Sequence, residues 1–257
     1  MRIKLTLQKT GRASLLPINY NYEISAWIYK IIRGADTDYA DFLHNQGYTL
    51  AGKQFKFFTF SALHIPKRTI VGDRIEILSE EISLLVSFWV EEASEKFIVG
   101  LFQNQALRLG DKVSQVDFMV RQVESMAWRL PGDKVRFKML SPMVVSRKND
   151  RGLDDYLSPT EPDFEKLLLK NLSDKYMAAD KLVPASWQDY AFGFKLLTEQ
   201  PKEKKIILKA HTPQQTKVKG YLFDFELVAP VALLEAGYLA GFGRYNAEGF
   251  GCVEVVK

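Results

Sequence analysis

The sequence predicts an α+β protein made of two halves, each with the element order βαββαβ. Two kinds of pattern predict this class: runs in which apolar and polar residues alternate, as in strands, and runs in which apolar residues recur every three or four positions, as in helices. The order of these patterns repeats after a turn-rich break at Trp128–Asp133. Because 47% of the 257 residues are hydrophobic and 12% are aromatic, each half can bury a core, and a disordered chain is excluded.

The first half opens with alternating polar and apolar residues over Arg2–Gln8, which predict a strand and exclude a signal peptide. Apolar residues at helical spacing predict helices over Tyr22–Arg33 and Glu91–Gln103. A slip in the alternation of Val113–Val123 predicts a strand with a β-bulge. The remaining predicted elements are a short helix at Tyr39–His44 and strands at Phe55–Ser61, Asp73–Leu78 and Ser83–Val90.

The second half repeats this order. A strand over Lys134–Ser146, bent at Pro142, precedes a helix over Asp163–Tyr176 for which Asp163 is the predicted N-cap. This order is that of a ferredoxin-like, or RRM-like, domain, so we expect two such domains in tandem, at residues 1–127 and 128–257. The remaining predicted elements are strands at Lys204–His211 and Lys217–Ala229, a helix at Pro230–Leu239 and a final strand at Gly251–Val256.

Charge is distributed unevenly along the chain, although its net value is only +4. Six glutamates and no basic residue fall within Glu76–Glu95, a net charge of −6. Seven basic against two acidic residues give +5 over Arg129–Arg151, and six against one give +5 over Pro201–Gly220. Such asymmetry indicates a polyanionic partner on one side of the molecule, and solvated charged faces are the structural alternative.

Other classes of protein are excluded by what the sequence lacks. The single cysteine, Cys252, excludes a disulfide framework and favours a reducing compartment, which for this chain we expect to be the cytoplasm. No apolar run approaches the roughly 18 residues of a membrane span. The sequence has no compact group of Asp, Glu and His typical of a divalent-metal site, so we expect neither a metal ion nor a cofactor.

The stretch over Gly241–Gly251 contains two Gly-Phe-Gly units on either side of Arg244, between the last helix and the last strand. Glycine allows the backbone to approach a ligand closely, and successive backbone N–H groups can form an anion-binding concavity. A helix end followed by a tight turn is the structural alternative. Two such units beside an arginine favour contact with an anion.

This glycine-rich stretch at the end of a tandem βαββαβ chain resembles the CRISPR repeat-cleaving endoribonucleases of the repeat-associated (RAMP) superfamily. The resemblance extends over essentially the whole chain. In the first half it includes Trp27–Tyr29 on the first helix, Leu43 and His44, and the segment Lys56–Ser61. In the second half it also includes Leu140–Val145.

The resemblance implies a metal-independent cleavage of CRISPR repeat RNA in precursor transcripts. In this reaction the ribose 2′-OH attacks the adjacent phosphate and leaves a 2′,3′-cyclic phosphate and a 5′-OH, which makes the enzyme specific for RNA. The chemistry needs a proton acceptor, a proton donor and a group that stabilises the charge on phosphorus. By resemblance the catalytic residues are His44, Tyr29 and Lys56. We expect His44 to be the base, Lys56 to hold the non-bridging oxygens and Tyr29 to position or protonate the substrate.

Helical periodicity is compatible with these roles. Tyr29 lies away from the apolar stripe of its helix, and His44 lies outside the stripe of the short helix, so neither residue is needed to fill a core. Each residue also has an ordinary structural interpretation. A histidine at a helix end can complement the helix dipole, and a lysine such as Lys56 can extend its charge to solvent at the end of a sheet.

RNA is the expected partner, and its predicted ligands fall in the second half. Lysines of the hairpin and bases at a strand end can contact the phosphate backbone without reading sequence. We also expect association with CRISPR effector subunits or formation of a homodimer, and no membrane contact. His64 and His211 are assigned to basic turns that at most touch phosphate. The predicted RNA-binding residues are Gly241, Gly243, Arg244, Gly249, Gly251, Arg147, Lys148, Lys217 and Lys219.

Two other functions fit parts of the sequence. A non-catalytic RNA-binding subunit of a CRISPR effector complex would keep the glycine-rich stretch, and the three catalytic candidates would then be accidental. A ligand-sensing protein of tandem ferredoxin-like domains would hold a small anion in the same stretch. The clustered bases favour either RNA function over the sensor, and Tyr29, His44 and Lys56 favour the enzyme over the subunit.

Overall fold

A computed structural model of the chain describes residues 1–210 and 212–256. His211, the last residue of the predicted strand Lys204–His211, therefore lies outside the described residues. The first half contains β1 Arg2–Thr10, β2 Leu15–Pro17, α1 Asn21–Ala35, α2 Thr37–Asp41, a π-helical turn Phe42–Gln46, β3 Tyr48–Leu50, β4 Lys53–Phe55, β5 Phe58–Phe60, β6 Arg68–Val71, β7 Arg74–Ile77, β8 Glu81–Phe88, α3 Glu91–Gln103, β9 Ala106–Gly110 and β10 Gln115–Ser125.

The second half begins after a connection that includes Trp128. Its elements are β11 Lys134–Met139, β12 Ser146–Lys148, β13 Asp154–Tyr156, α4 Phe164–Ala178, a 3₁₀ turn Ala185–Trp187, β14 Gly193–Leu196, β15 Lys202–Leu208, β16 Thr216–Leu222, β17 Asp224–Val228, α5 Val231–Ala240, a 3₁₀ turn Asn246–Glu248 and β18 Val253–Val255. The helices that the structure describes do not include one long and apolar enough to span a membrane.

The main sheet of the first half has the strand order β5-β8-β1-β10-β9, and all its pairs are antiparallel. Its predicted bulge is confirmed: Thr6 pairs with Gln122 and Leu7 with Val120, so Arg121 is the extra residue of β10. The predicted strand Phe55–Ser61 is divided instead into β4 and β5, because Phe57 between them has a positive φ of 51°.

The main sheet of the second half has the order β14-β17-β11-β18, again with antiparallel pairs. The strand predicted over Lys134–Ser146 ends at Met139, and the one predicted over Lys217–Ala229 is divided at Phe223. As a result β15 and β16 form a hairpin of their own outside the main sheet. The predicted N-cap is also corrected, because Asp163 adopts helical φ and ψ and its carboxylate pairs with Arg147.

Each half buries its own apolar cluster, and buried polar contacts connect the two clusters. Arg2 of β1 is almost fully buried and donates to the carbonyls of Tyr238 at 2.8 Å and Val253 at 2.5 Å in the second half. Its guanidinium also lies 3.9 Å from the centre of the Tyr238 ring. The two halves therefore form one packed body with a surface cleft between them.

Candidate active site

Two predicted catalytic side chains, Tyr29 of α1 and His44 of the π-helical turn, are in direct contact. Their ring centres are 5.1 Å apart at an interplanar angle of 82°, an edge-to-face arrangement. Tyr29 also packs edge-on against Phe58 of β5, with ring centres 5.5 Å apart. Burial, together with the nearby Glu248 carboxylate, raises the pKa of the Tyr29 hydroxyl. This phenol therefore stays protonated at neutral pH.

Lys56 joins this pair because of a sharp turn at Gly47. Gly47 has a φ of +62°, and a Cβ there would overlap the Phe55 carbonyl, so the position requires glycine. The turn folds the chain back until the Lys56 Nζ donates to the His44 carbonyl at 2.9 Å. Burial lowers the pKa of this lysine. Tyr29, His44 and Lys56 thus meet although they come from three different segments.

Lys56 lies on the wall of a cleft of about 700 Å³ between the two halves. One wall is formed by residues 52–57 of the first half, and the other by β12, α4 and the glycine-rich stretch of the second half. None of the glutamates of Glu76–Glu95 lines the cleft in the described part of the chain. The cleft is basic, with six cationic side chains that reach solvent along it: Lys53, Lys56, Arg147, Lys148, Lys170 and Arg244.

The glycine-rich stretch docks the second half onto the first. The Asn21 Nδ2 group of α1 donates to the Glu248 carbonyl at 3.0 Å, and the Thr59 hydroxyl of β5 donates to the Phe250 carbonyl at 2.9 Å. Gly249 has a φ of +79°, and a Cβ there would overlap the ring of Phe60. The stretch is therefore a close-packed connection between the halves.

The predicted direct contact between the loop glycines and RNA is corrected by this packing. Backbone N–H groups of the stretch are used within the protein: Phe242 donates to the Gly251 carbonyl at 2.9 Å, and Arg244 donates to the Val144 carbonyl at 2.8 Å. Their burial gives the glycines contacts within the protein, and the part of the stretch that lines the cleft runs from Gly243 to Glu248 and includes Arg244. The buried glycines are Gly241, Gly243, Gly249 and Gly251.

The predicted basic ligands of the cleft have acidic partners of their own. Arg244 Nη1 donates to Asp154 at 2.6 Å and to the Ser146 hydroxyl, while the Lys148 ammonium lies 3.3 Å from the same carboxylate. Arg147 pairs with Asp163. The charge available to RNA is therefore smaller than the count of bases over Arg129–Arg151 indicates. The Arg147–Asp163 pair is about half exposed, and such surface pairs are weak, whereas the Asp154 side chain is only 11% exposed.

The other predicted RNA ligands, Lys217 and Lys219, lie on the β15–β16 hairpin and not in the cleft. Lys217 is exposed, and the Lys219 ammonium lies 3.7 Å from Glu203. The hairpin packs beside the glycine-rich stretch through Val218, which shares an apolar cluster with Phe250. The structure therefore separates the predicted basic ligands into two surfaces, the cleft and the hairpin.

The two other histidines do not enter this site. His64 is exposed and pairs by its backbone with Ser83, and His211 lies outside the described residues. Across residues 1–210 and 212–256, no group of three or more His, Cys, Asp or Glu side chains is arranged to hold a metal ion.

The sequence patterns did not predict that two charged residues of α4, Asp174 and Lys175, are buried next to the cleft. Lys175 is 2% exposed and donates to the carbonyls of Gly241 and Gly243, the second at 2.8 Å. Burial lowers the pKa of this ammonium to about 7. Its neighbour Asp174 pairs with Lys53 of the first half. The sequence does contain one signal for Lys175, because it follows Leu168 and Leu172 along the apolar stripe of α4.

Comparison with known proteins gives the family. Residues 127–255 match the family model described as CRISPR associated protein Cas6, C-terminal, and residues 15–124 match CRISPR-associated protein Cas6, N-terminal. The chain belongs to the Cas6 family. The family predicted from the glycine-rich stretch is thereby confirmed.

Relatives of this Cas6 chain match it over at least 93% of their own length. It is 33% identical to CRISPR-associated endoribonuclease Cas6 1 of Methanocaldococcus jannaschii over 100% of the chain and 93% of that protein. A solved structure of a Cas6-related protein of Pyrococcus furiosus has a TM-score of 0.83 at 25% identity and covers 100% of the chain and 98% of its own. A second, described as an RAMP protein binding different RNA substrates, has a TM-score of 0.83 at 24% identity and covers both chains completely. The mixed α/β fold is therefore that of the Cas6 and RAMP structures.

Proposed function

We propose that this Cas6-family chain is a metal-independent endoribonuclease that cleaves CRISPR repeat RNA in precursor transcripts. The observation that carries the proposal is the contact of the Tyr29 and His44 rings, together with the bond from Lys56 on the wall of the basic cleft to the His44 carbonyl. An imidazole, a protonated phenol and an ammonium are the groups that 2′-OH attack on a phosphate needs. The name of the 33% identical relative supports the same activity.

In the proposed reaction His44 accepts the proton of the ribose 2′-OH. The Asn45 Oδ1, a hydrogen-bond acceptor, lies 3.0 Å from His44 Nδ1, so Nδ1 carries a proton and Nε2 is the basic nitrogen. The 2′-oxygen bonds to phosphorus while the bond from phosphorus to the 5′-oxygen breaks, which yields the 2′,3′-cyclic phosphate. Lys56 stabilises the non-bridging oxygens, and the Tyr29 hydroxyl transfers its proton to the leaving 5′-oxygen to give the 5′-OH. Solvent then returns a proton to the Tyr29 phenolate and takes one from the His44 imidazolium.

The proposed RNA path follows the cleft and the hairpin. Arg147, Lys148 and Arg244 would hold phosphates in the cleft, and Lys217 and Lys219 would hold the strand outside it. We also propose that the chain is a tandem of ferredoxin-like domains at 1–127 and 128–257. The strand orders of the two main sheets and the two separate apolar clusters support this division. Cytoplasmic location, homodimer formation and binding to effector subunits stay predictions.

The test is cleavage of end-labelled repeat RNA in EDTA by the wild-type chain and by H44A. We expect the wild type to produce a 2′,3′-cyclic phosphate end and H44A to lose cleavage by about 10²-fold or more while it keeps its RNA affinity. H64A is the matched control and should cleave at the wild-type rate. A repeat with a 2′-deoxy at the cut site should bind and stay intact. Wild-type activity in H44A would contradict the assignment.

A non-catalytic RNA-binding subunit on the same fold is the second candidate. The cationic side chains of β12 and α4 favour it, since they line the cleft independently of His44 and Tyr29. The same assay separates the two candidates. A shift of the labelled RNA without cleavage, at every pH and with every repeat tried, would support the subunit.

A further inference from the structure

The guanidinium of Arg244 is held by the protein along one edge only. Its Nη1 group donates to Asp154 Oδ1 at 2.6 Å and to the Ser146 hydroxyl. Its Nε and Nη2 groups make no hydrogen bond to the residues that the structure describes. The Arg244 side chain lines the cleft and is 37% exposed. One edge is therefore anchored, and the other edge leaves two parallel N–H donors for a ligand.

Several segments fix this anchor. Strands β12 and β13 pair with Lys148 opposite Asp154, and the Arg244 N–H bonds to the Val144 carbonyl at 2.8 Å, directly before β12. Tyr245 has a left-handed φ of 60°, which is uncommon for a residue other than glycine, and its hydroxyl donates to Asp154 Oδ2 at 3.2 Å. The Asp154 carboxylate is thus bonded on both oxygens, and the orientation of Arg244 is set before any ligand arrives.

The charge of Asp154 decides which ligand suits Arg244. Burial raises the pKa of Asp154, but the hydrogen bonds and charges of Arg244 and Lys148 outweigh burial and lower it, so the carboxylate is ionised at neutral pH. Its negative charge lies next to the guanidinium and cancels much of the attraction of Arg244 for a phosphate. Directional hydrogen bonds from the open edge to a neutral pair of acceptors are kept.

A base with two adjacent acceptors fits this edge. Guanine presents O6 and N7 side by side, and this pair is the one that arginine most often contacts with two parallel hydrogen bonds. Adenine replaces one of the two acceptors by an amino donor. In single-stranded RNA these base edges are accessible to side chains.

We propose that Arg244, oriented by Asp154, contacts O6 and N7 of one guanine of the RNA in the cleft and makes the chain selective for that base. The inference rests on the proposed function and gives Arg244 a base in place of a phosphate. Arg147 and Lys148 keep their phosphate contacts, since Lys148 is 61% exposed and has the Asp154 carboxylate on one side only.

The test measures binding of repeat RNA that carries a 2′-deoxy at the cut site, so that cleavage does not interfere. Each guanine is replaced in turn by 7-deazaguanine, which lacks N7, by adenine, which lacks O6, or by inosine, which keeps both atoms. With the wild-type chain we expect one position at which adenine weakens binding by about tenfold or more and 7-deazaguanine by about fivefold. Inosine at that position should bind as guanine does.

Three variants connect this preference to Arg244. R244K keeps the charge and loses the planar fork, so it should bind the guanine and adenine RNAs equally. D154N releases the anchor and should lose most of the preference, although it removes a negative charge from the cleft. The matched control is D155N on the same strand, because Asp155 is exposed and accepts from Asn149 at 2.9 Å; it should keep the preference. The modified RNAs also test the wild-type chain, whatever the stability of a variant.

Salt dependence separates a base contact from a phosphate contact. Loss of one phosphate contact lowers the slope of log affinity against log salt by about 0.7 for single-stranded RNA. We expect R244A to leave this slope unchanged. If R244A weakens binding of all the RNAs equally and lowers the slope by about 0.7, while R244K restores affinity, Arg244 holds a phosphate and the inference is wrong.

The outcomes for the inference and for the proposed function are distinct. If no guanine responds to substitution, or if the response persists in R244K, Arg244 does not read a base and only the inference fails. A wild-type chain that binds with the guanine preference but cleaves no unmodified repeat would contradict the nuclease and support the inference. A chain that binds no repeat RNA would overturn both.

Discussion

Lys175 shows how one residue decides the geometry of the site without reaching the substrate. Its buried ammonium donates to the carbonyls of Gly241 and Gly243, which follow the C-terminal end of α5, where the helix dipole favours a positive charge. These two bonds fix the start of the glycine-rich stretch that carries Arg244 and Glu248. The desolvation of a lysine is the cost of this arrangement.

This cost predicts a pH dependence of stability. Burial lowers the pKa of Lys175 from 10.5 to about 7, so between pH 7 and 10 the folded chain binds fewer protons than the unfolded chain. The free energy of unfolding should therefore rise with pH in this window, by up to about 1.4 kcal/mol per pH unit from this group. Denaturant unfolding of the wild type and K175M at several pH values measures the difference. Equal slopes in the two proteins would contradict the burial of a charged lysine.

At the scale of elements, the β15–β16 hairpin is a separate basic surface. The hairpin contacts the body through a small apolar cluster with Phe250, through two backbone hydrogen bonds between Tyr221 and Met143, and through a bond from the Ile207 N–H to the Asn19 side chain. Its exposed lysines are consequently available to an RNA strand that leaves the cleft. A phosphate-binding hairpin contributes affinity and salt dependence, and no catalysis.

The hairpin is expected to contribute two phosphate contacts through Lys217 and Lys219. In K217A/K219A the repeat RNA should bind more weakly, and the slope of log affinity against log salt should fall by about 1.4 in magnitude, at about 0.7 for each contact with single-stranded RNA. The single-turnover cleavage rate at saturating protein should stay unchanged. K4A/K112A removes two lysines of the first half and is the control. An unaltered salt slope in K217A/K219A would exclude the hairpin from the RNA path.

At the scale of the whole molecule, function depends on how the two halves are joined. The proposed catalytic residues belong to the first half, while Arg147, Lys148, Arg244 and Glu248 on the facing wall belong to the second. Arg2 and the glycine-rich stretch hold the two walls together through buried contacts. The cleft therefore exists only in the assembled pair of halves.

A methyl group at Gly249 tests how closely the two halves pack at this junction. In G249A the new methyl group would overlap Phe60, and the φ of +79° would be strained, so we expect a loss of about 2 kcal/mol or more in the free energy of unfolding. Gly11 has the same φ of +79° with open space around it, so G11A carries the strain alone and should lose about 1 kcal/mol. Denaturant unfolding measures both. A loss in G249A no larger than that in G11A would show that the junction tolerates the methyl group.

The site was predictable where a local signal marked it. His44 lies off the apolar stripe of its segment and is exposed, as predicted, whereas Tyr29 is partly buried and packs against the core beside Phe58. The resemblance supplied the roles that are proposed for them. The loop glycines were predicted to contact RNA because a sequence does not distinguish glycines required for close packing within the protein from glycines required for close approach to an anion. Burial decides between the two.

Composition and periodicity by themselves determined that the chain is a mixed α/β protein with two similar halves, because strand and helix patterns are local properties of the chain. Only the tertiary structure decided which charges meet. Carboxylates outside the basic windows pair with several of their bases, among them Glu226 with Lys134 and Arg136, and Asp154 with Lys148. Coulomb energy depends on distance in space, so neither the net charge nor its windows could give the electrostatics of the cleft.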